Sequence, residues 1–241
     1  MFEHRRISII SLLCILLLVL VLYQYVDATK WKEWSIVPLD ISHWKGIWLG
    51  AFVHGSWDHL MGNVGALVFF GILFLIQFPK HWLKFWFLQH IIASMLLWLI
   101  GNMGLGDLGF WRDPFGYSVV HTTHAVAHIG SSIWVYSFGG FLMATAVVHR
   151  TKQSIAILFL VLLVYGGFFW GILPVDPKVS WQGHLSGLIT GVLLALTIGL
   201  KWLPRENMWS ELGDEDEGNT HHDEPNDKDH GHHNDDPYAH F

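Results

Sequence analysis

Ser132 and His184 are the residues whose types and settings best suit chemistry. Ser132 lies in HIGSSIWVYSFGG, residues 128–140, where an irregular stretch turns into an apolar helix at a glycine and two serines. In the first turn of a membrane helix the backbone N–H groups are unpaired and the helix dipole is positive, so developing negative charge is stabilised there. That setting suits a nucleophile, although serine is equally a good N-cap. Ser131 is the rival nucleophile in the same turn. His184, in SWQGHLSGLITG, would serve as general base if the fold brought it within ~3 Å of the hydroxyl. Upstream, His54, His59 and Asn63 add three polar groups at the head of an apolar run.

These residues need helices to position them. The chain has 241 residues, 52% hydrophobic and 15% aromatic, with a mean hydropathy of +0.37. Several apolar runs reach the roughly 20 residues that cross a bilayer. The expected class is an all-α membrane protein, a six-transmembrane-helix bundle. Its spans should cover about 7–26, 57–78, 82–100, 131–148, 154–173 and 181–203. The first follows a positive start, and its length fits a retained span better than a signal peptide. Residues 27–53 mix four tryptophans with charges, which predicts short helical pieces lying in the membrane interface. Residues 101–130 form a long Gly- and aromatic-rich loop, of the kind that is usually functional or disordered. The single cysteine, Cys14, precludes an intrachain disulfide and reads as a small buried hydrophobe.

The net charge of −6 misleads, because eleven of the twenty acidic residues lie from Glu211 onward. The chain therefore divides into a membrane domain, 1–206, and an acidic, histidine-rich tail, 207–241, expected to be disordered. Nothing in the composition calls for nucleic acid. Arg5, Arg6, Lys80, Lys84, Arg150, Lys152, Lys201 and Arg205 fall at alternate ends of the spans, which predicts cytoplasmic termini. Lys30, Lys32 and Lys45 run against that rule. With this parity, spans 2, 4 and 6 all descend from the outer face. At about 1.5 Å per residue, His54, His59, Asn63, Ser132 and His184 then share one depth. Polar residues at membrane depth usually face a bundle interior or a water-filled space, so a shared cavity is expected. Gly183, Gly187 and Gly191 form a small-residue face for close helix packing, and Ser132, Tyr136 and Gly140 share one face of span 4.

Taken together, His54, His59 and Asn63 in span 2, Gly130 and Ser132 in span 4, and His184 with its trailing glycines resemble the rhomboid family of intramembrane serine proteases. The resemblance covers about residues 7–203. It implies a Ser–His dyad without an acidic third member: Ser132 as nucleophile and His184 as base. It implies an oxyanion site formed by His59, Asn63 and the Ser132 N–H, with no cofactor. Tyr136 matches the residue whose ring packs on the catalytic histidine, and His54 a histidine that organises the start of span 2. The implied substrates are single-pass transmembrane proteins, and the setting a bacterial cytoplasmic membrane.

Two departures stand out. Ile133 replaces the glycine that usually follows the serine, a stiff, bulky residue where substrate must pass. The Trp-Arg pair of the first outer loop has only Trp44 and Lys45 as a loose substitute, whereas Trp181 and Gly183 fit one branch of the family. Ile133 keeps open an alternative: a catalytically inactive relative that binds transmembrane helices. A third class is metal binding. His121, His124 and His128 would share a helix face able to hold zinc or haem, and the six histidines of the tail suggest weak divalent-metal binding.

Overall fold

The structure, a computed structural model, describes residues 2–26, 30–102, 127–174 and 179–202. The described residues form eight α-helices: α1 (Phe2–Tyr25), α2 (Lys30–Trp34), α3 (Trp44–Leu49), α4 (Trp57–Gln77), α5 (Trp82–Ile100), α6 (Ser132–His149), α7 (Lys152–Val164) and α8 (Trp181–Thr197). Among the described residues there is no β-strand, only one antiparallel bridge between Ile36 and His128. Among the described residues five helices are long and apolar enough to cross a membrane, and a sixth span arises if α7 and the bent segment after it are one crossing. This is a multi-pass membrane protein. The segment between α1 and α4 consists of the expected short helices and 3-10 turns. Most of the 101–130 loop, with His121 and His124, and the tail 207–241 lie outside the described residues.

Local signals set the helix starts. The Ser56 hydroxyl accepts from the His59 N–H at 3.2 Å to cap α4, and that of Ser180 accepts from the Gly183 N–H at 3.2 Å to cap α8, the usual role of an N-cap serine. At the head of α6, by contrast, no side chain caps the helix. Its two serines are left for other work.

α6 is the central helix. Two thirds of its span, 67%, is buried, against less than half for the spans of α1, α4, α5 and α8. Phe138 and Phe141 pack into an aromatic cluster with Phe74, Trp82 and Phe85. α1 lies at the edge, turning Leu12, Leu16 and Val19 inward. Cys14, on its other side, is exposed and not the buried hydrophobe expected. α1 is apolar all round, so hydropathy did not mark its inner face.

The fifth span is not one continuous helix. α7 ends at Val164, and residues Gly166–Ile172 form a 3-10 segment bent 70° from it. Two consecutive glycines disfavour helix. Tyr165 and Phe168 then pack on Phe70, and Phe168 also on Tyr136, so the chain leaves the helix axis to bury its aromatics. The sixth span also shortens, to a helix ending at Thr197 and a turn over Gly199–Lys201.

Candidate active site

α6 and α8 run side by side in the same direction at backbone contact. A Cβ at Gly187 would strike the Ile133 carbonyl, and one at Gly191 the Ser137 carbonyl. Those two contacts fix the register: each turn of α8 meets the matching turn of α6. The same offset sets His184 opposite Gly130, two residues before Ser132, and its ring reaches Tyr136, one turn after Ser132. Ser132 and His184 are both half-buried. No hydrogen bond joins Ser132 to His184 among the described residues; what holds the imidazole is elsewhere.

Its ring stacks on Tyr136, with centroids 4.1 Å apart and planes at 12°. Its Nδ1–H donates to the Gly171 carbonyl at 2.7 Å, which leaves Nε2 as the basic nitrogen. Tyr136 is fixed in turn, stacked on Phe168 at 4.0 Å and donating its hydroxyl to the Phe168 carbonyl at 2.8 Å. The bent segment 166–172 thus supplies both carbonyls. Gly171 has to be glycine, because a Cβ would collide with the Tyr136 hydroxyl and lie 3.0 Å from His184 Nδ1. Sequence reasoning missed this contact. A backbone acceptor has no residue signature, and the spaced glycines of GGFFWGI were the only hint.

His59 and Asn63 converge on the turn before Ser132. Gly130 has φ +109°, open to glycine and costly for other residues. A Cβ there would lie 2.7 Å from the His59 ring and 3.4 Å from Asn63 Nδ2. Asn63 Nδ2 is buried and has no hydrogen-bond partner, so an amide donor points unused at the serine turn.

His54 faces a different serine. Its Nδ1–H donates to the Phe52 carbonyl at 3.2 Å, and its Nε2 accepts from the Ser131 hydroxyl at 3.2 Å and the Ser131 N–H at 3.3 Å. Burial, with His59 alongside, pushes the His54 pKa down to about 4, so the ring stays neutral. Ser131 is fully buried.

The expected common cavity is divided. A space of about 440 Å³ is lined by Tyr23, Gln24, Trp31, His54 and Ile129 but not by Ser132. Ser132 instead opens on a crevice of about 10 Å³ walled by Leu97, His128, Ile133, Ser180 and Gly183. That is room for about one water. Buried Ile133 is part of what closes it. His128 is not on a metal-binding helix face; it precedes α6 and spends both ring nitrogens on Gly101 and Ser180. No group of three metal-ligating side chains occurs among the described residues.

The Rhomboid domain family matches residues 42–201, which includes every side chain of the site. Uncharacterized proteins of Mycobacterium bovis and Mycobacterium tuberculosis are each 30% identical over 167 residues, 67% of this chain and 62% of theirs. An uncharacterized protein of Mycobacterium leprae is 32% identical over 153 residues, 62% of this chain and 54% of its own. The chain covers less than two thirds of the length of these relatives. With a central helix flanked by a close-packed glycine-faced partner, and with the family's match running through both, this chain belongs to the rhomboid family.

Proposed function

We propose that the chain is an intramembrane serine endopeptidase acting through Ser132 and His184. One observation carries the reading. His184 is stacked on Tyr136, which lies one turn after Ser132 in α6, and is bonded to the Gly171 carbonyl so that Nε2 is the free nitrogen. The carbonyl does what an acidic third member does elsewhere: it fixes tautomer and orientation.

In this mechanism Ser132 Oγ attacks the scissile carbonyl carbon while His184 Nε2 takes its proton. The oxyanion is met by the Ser132 N–H, Asn63 Nδ2 and the His59 ring, each donor worth about 3 kcal/mol where such groups have been removed. His184 then gives its proton to the leaving amine, the C–N bond breaks, and an acyl ester remains on Ser132. Water, deprotonated by the same ring, releases the acid. Substrates are single-pass transmembrane proteins whose helix unwinds locally, because an intact helix hides its carbonyls.

The site faces the outer side and the termini the cytoplasm in this reading. Lys80, Lys84, Arg150, Lys152 and Lys201 sit near the helix ends away from the site. The lysines that run against the charge rule are engaged: Lys45 pairs with Glu33, Lys30 lies 4.3 Å from the Tyr25 ring and Lys32 5.8 Å from that of Trp31.

A second reading rests on Ile133, which narrows the crevice beside Ser132. In it the chain binds transmembrane helices without cleaving them. A fluorophosphonate probe on the detergent-purified protein decides between the two. The protease reading expects labelling that disappears in Ser132→Ala and His184→Ala. Folded wild type that takes no label, or label that survives Ser132→Ala, overturns it.

A further inference from the structure

His128 stands four residues before Ser132, and the residue it binds, Ser180, four before His184. It is 2% exposed. Its main chain exchanges two hydrogen bonds with Ile36, each 2.9 Å, and two residues on the Gly130 N–H donates to the Gly50 carbonyl at 2.9 Å. The segment leading to Ser132 is thereby fixed to the chain between α1 and α4. Its imidazole reaches the other way. Nε2–H donates to the Gly101 carbonyl at the end of α5, 3.1 Å away, and Nδ1 accepts from the Ser180 hydroxyl at 2.7 Å. The same Ser180 oxygen accepts the Gly183 N–H at the head of α8. Gly101 lets the ring come this close, since a Cβ there would lie 2.8 Å from Nε2.

We propose that His128 is a positioning residue: its imidazole ties the turn carrying Ser132 to the N-cap of the helix carrying His184 and so sets the spacing of the dyad. The proposal rests on the protease reading above. A histidine buried only for packing would support both segments without coupling them. Here the bonds run in series, from Ile36 through His128 and Ser180 to the amide beside His184. Losing the Ser180 bond frees the head of α8 to shift, and a shift of about 1 Å in a reacting pair costs on the order of a hundredfold in rate.

The two nitrogens can be tested separately. In His128→Asn the shorter amide lies near the Nδ1 position and keeps a partner for Ser180. In His128→Gln the longer one lies near Nε2 and keeps only Gly101. The labelling rate at saturating fluorophosphonate should fall about ten- to a hundredfold in His128→Gln and in Ser180→Ala. It should stay within about threefold of wild type in His128→Asn, and half-saturating probe should change little in all three. Amide hydrogen exchange on the same proteins reads the tie without any reaction: Gly183 and His184 should lose protection in His128→Gln and keep it in His128→Asn. Equal behaviour of the Asn and Gln variants in both measurements overturns the proposal. An unlabelled wild type with the exchange difference intact overturns the dyad and sustains the tie.

Discussion

His54 Nε2 lies 3.2 Å from the hydroxyl of Ser131 and 3.3 Å from its N–H, so the serine and histidine that meet here are not the two assigned to catalysis. Ser131 is fully buried and His54 nearly so, whereas Ser132 and His184 are half-buried. The buried pair braces the turn. It leaves Ser132 as the less buried of the two serines.

That division separates the two serines experimentally. Ser131→Ala should keep fluorophosphonate labelling and lower stability by about 0.5–1.5 kcal/mol, the worth of an ordinary hydrogen bond. His54→Ala strands two buried donors of Ser131 and should cost about 1–3 kcal/mol before any cavity penalty. Thermal unfolding in detergent measures both, and loss of label in Ser131→Ala at unchanged folding would move the nucleophile to Ser131.

Asn63 should show activity and stability moving apart. Its buried Nδ2 has no partner, so Asn63→Leu removes an unsatisfied amide and should leave the melting temperature unchanged or higher. If that amide serves the oxyanion, the same variant should label about 10²–10³-fold more slowly. A large loss of stability would instead assign Asn63 to packing.

Tyr136 carries two separable contacts with the same outcome for His184. Tyr136→Phe keeps the stacked ring and loses only the bond to the Phe168 carbonyl, so turnover should fall a few-fold, as a hydrogen bond of about 1 kcal/mol implies. Tyr136→Ala frees the imidazole face and should fall about a hundredfold. Gly171→Ala, which forces a methyl against the Tyr136 hydroxyl, should resemble Tyr136→Ala. The measurement is labelling rate at matched folded protein.

Stability should decline on acidification through a window to which two buried histidines outside the spans contribute. Burial pushes both His54 and His128 from 6.5 down to about 4. Each ring binds its proton less readily folded than unfolded, so between pH 6.5 and 4 unfolding takes up protons and stability falls with pH. Above 6.5 these groups contribute no slope. The full shift corresponds to about 3 kcal/mol per histidine. His128→Asn should flatten the melting-temperature profile between pH 6.5 and 4, and an unaltered slope would remove His128 from the account.

Much of this molecule was legible in its sequence because it depends on local pattern. Apolar runs of bilayer length marked α1, α4, α5, α6 and α8. Counting alternate crossings groups His59, Asn63, Ser132 and His184 at one end of the bundle, and the glycine face of α8 announces its partner.

Tertiary structure decided what no local pattern encodes. Hydropathy cannot say which side of the uniformly apolar α1 turns inward, and packing alone puts Cys14 on the exposed side. The break after Val164 reflects aromatic rings finding the core at the cost of helix, a balance set by neighbours distant in sequence. Adjacent serines look alike in a string of letters, and only the packed turn gives Ser131 to His54 and leaves Ser132 half-buried. The carbonyl of Gly171 belongs to a backbone group that every residue has. Position in space alone made it the partner of His184.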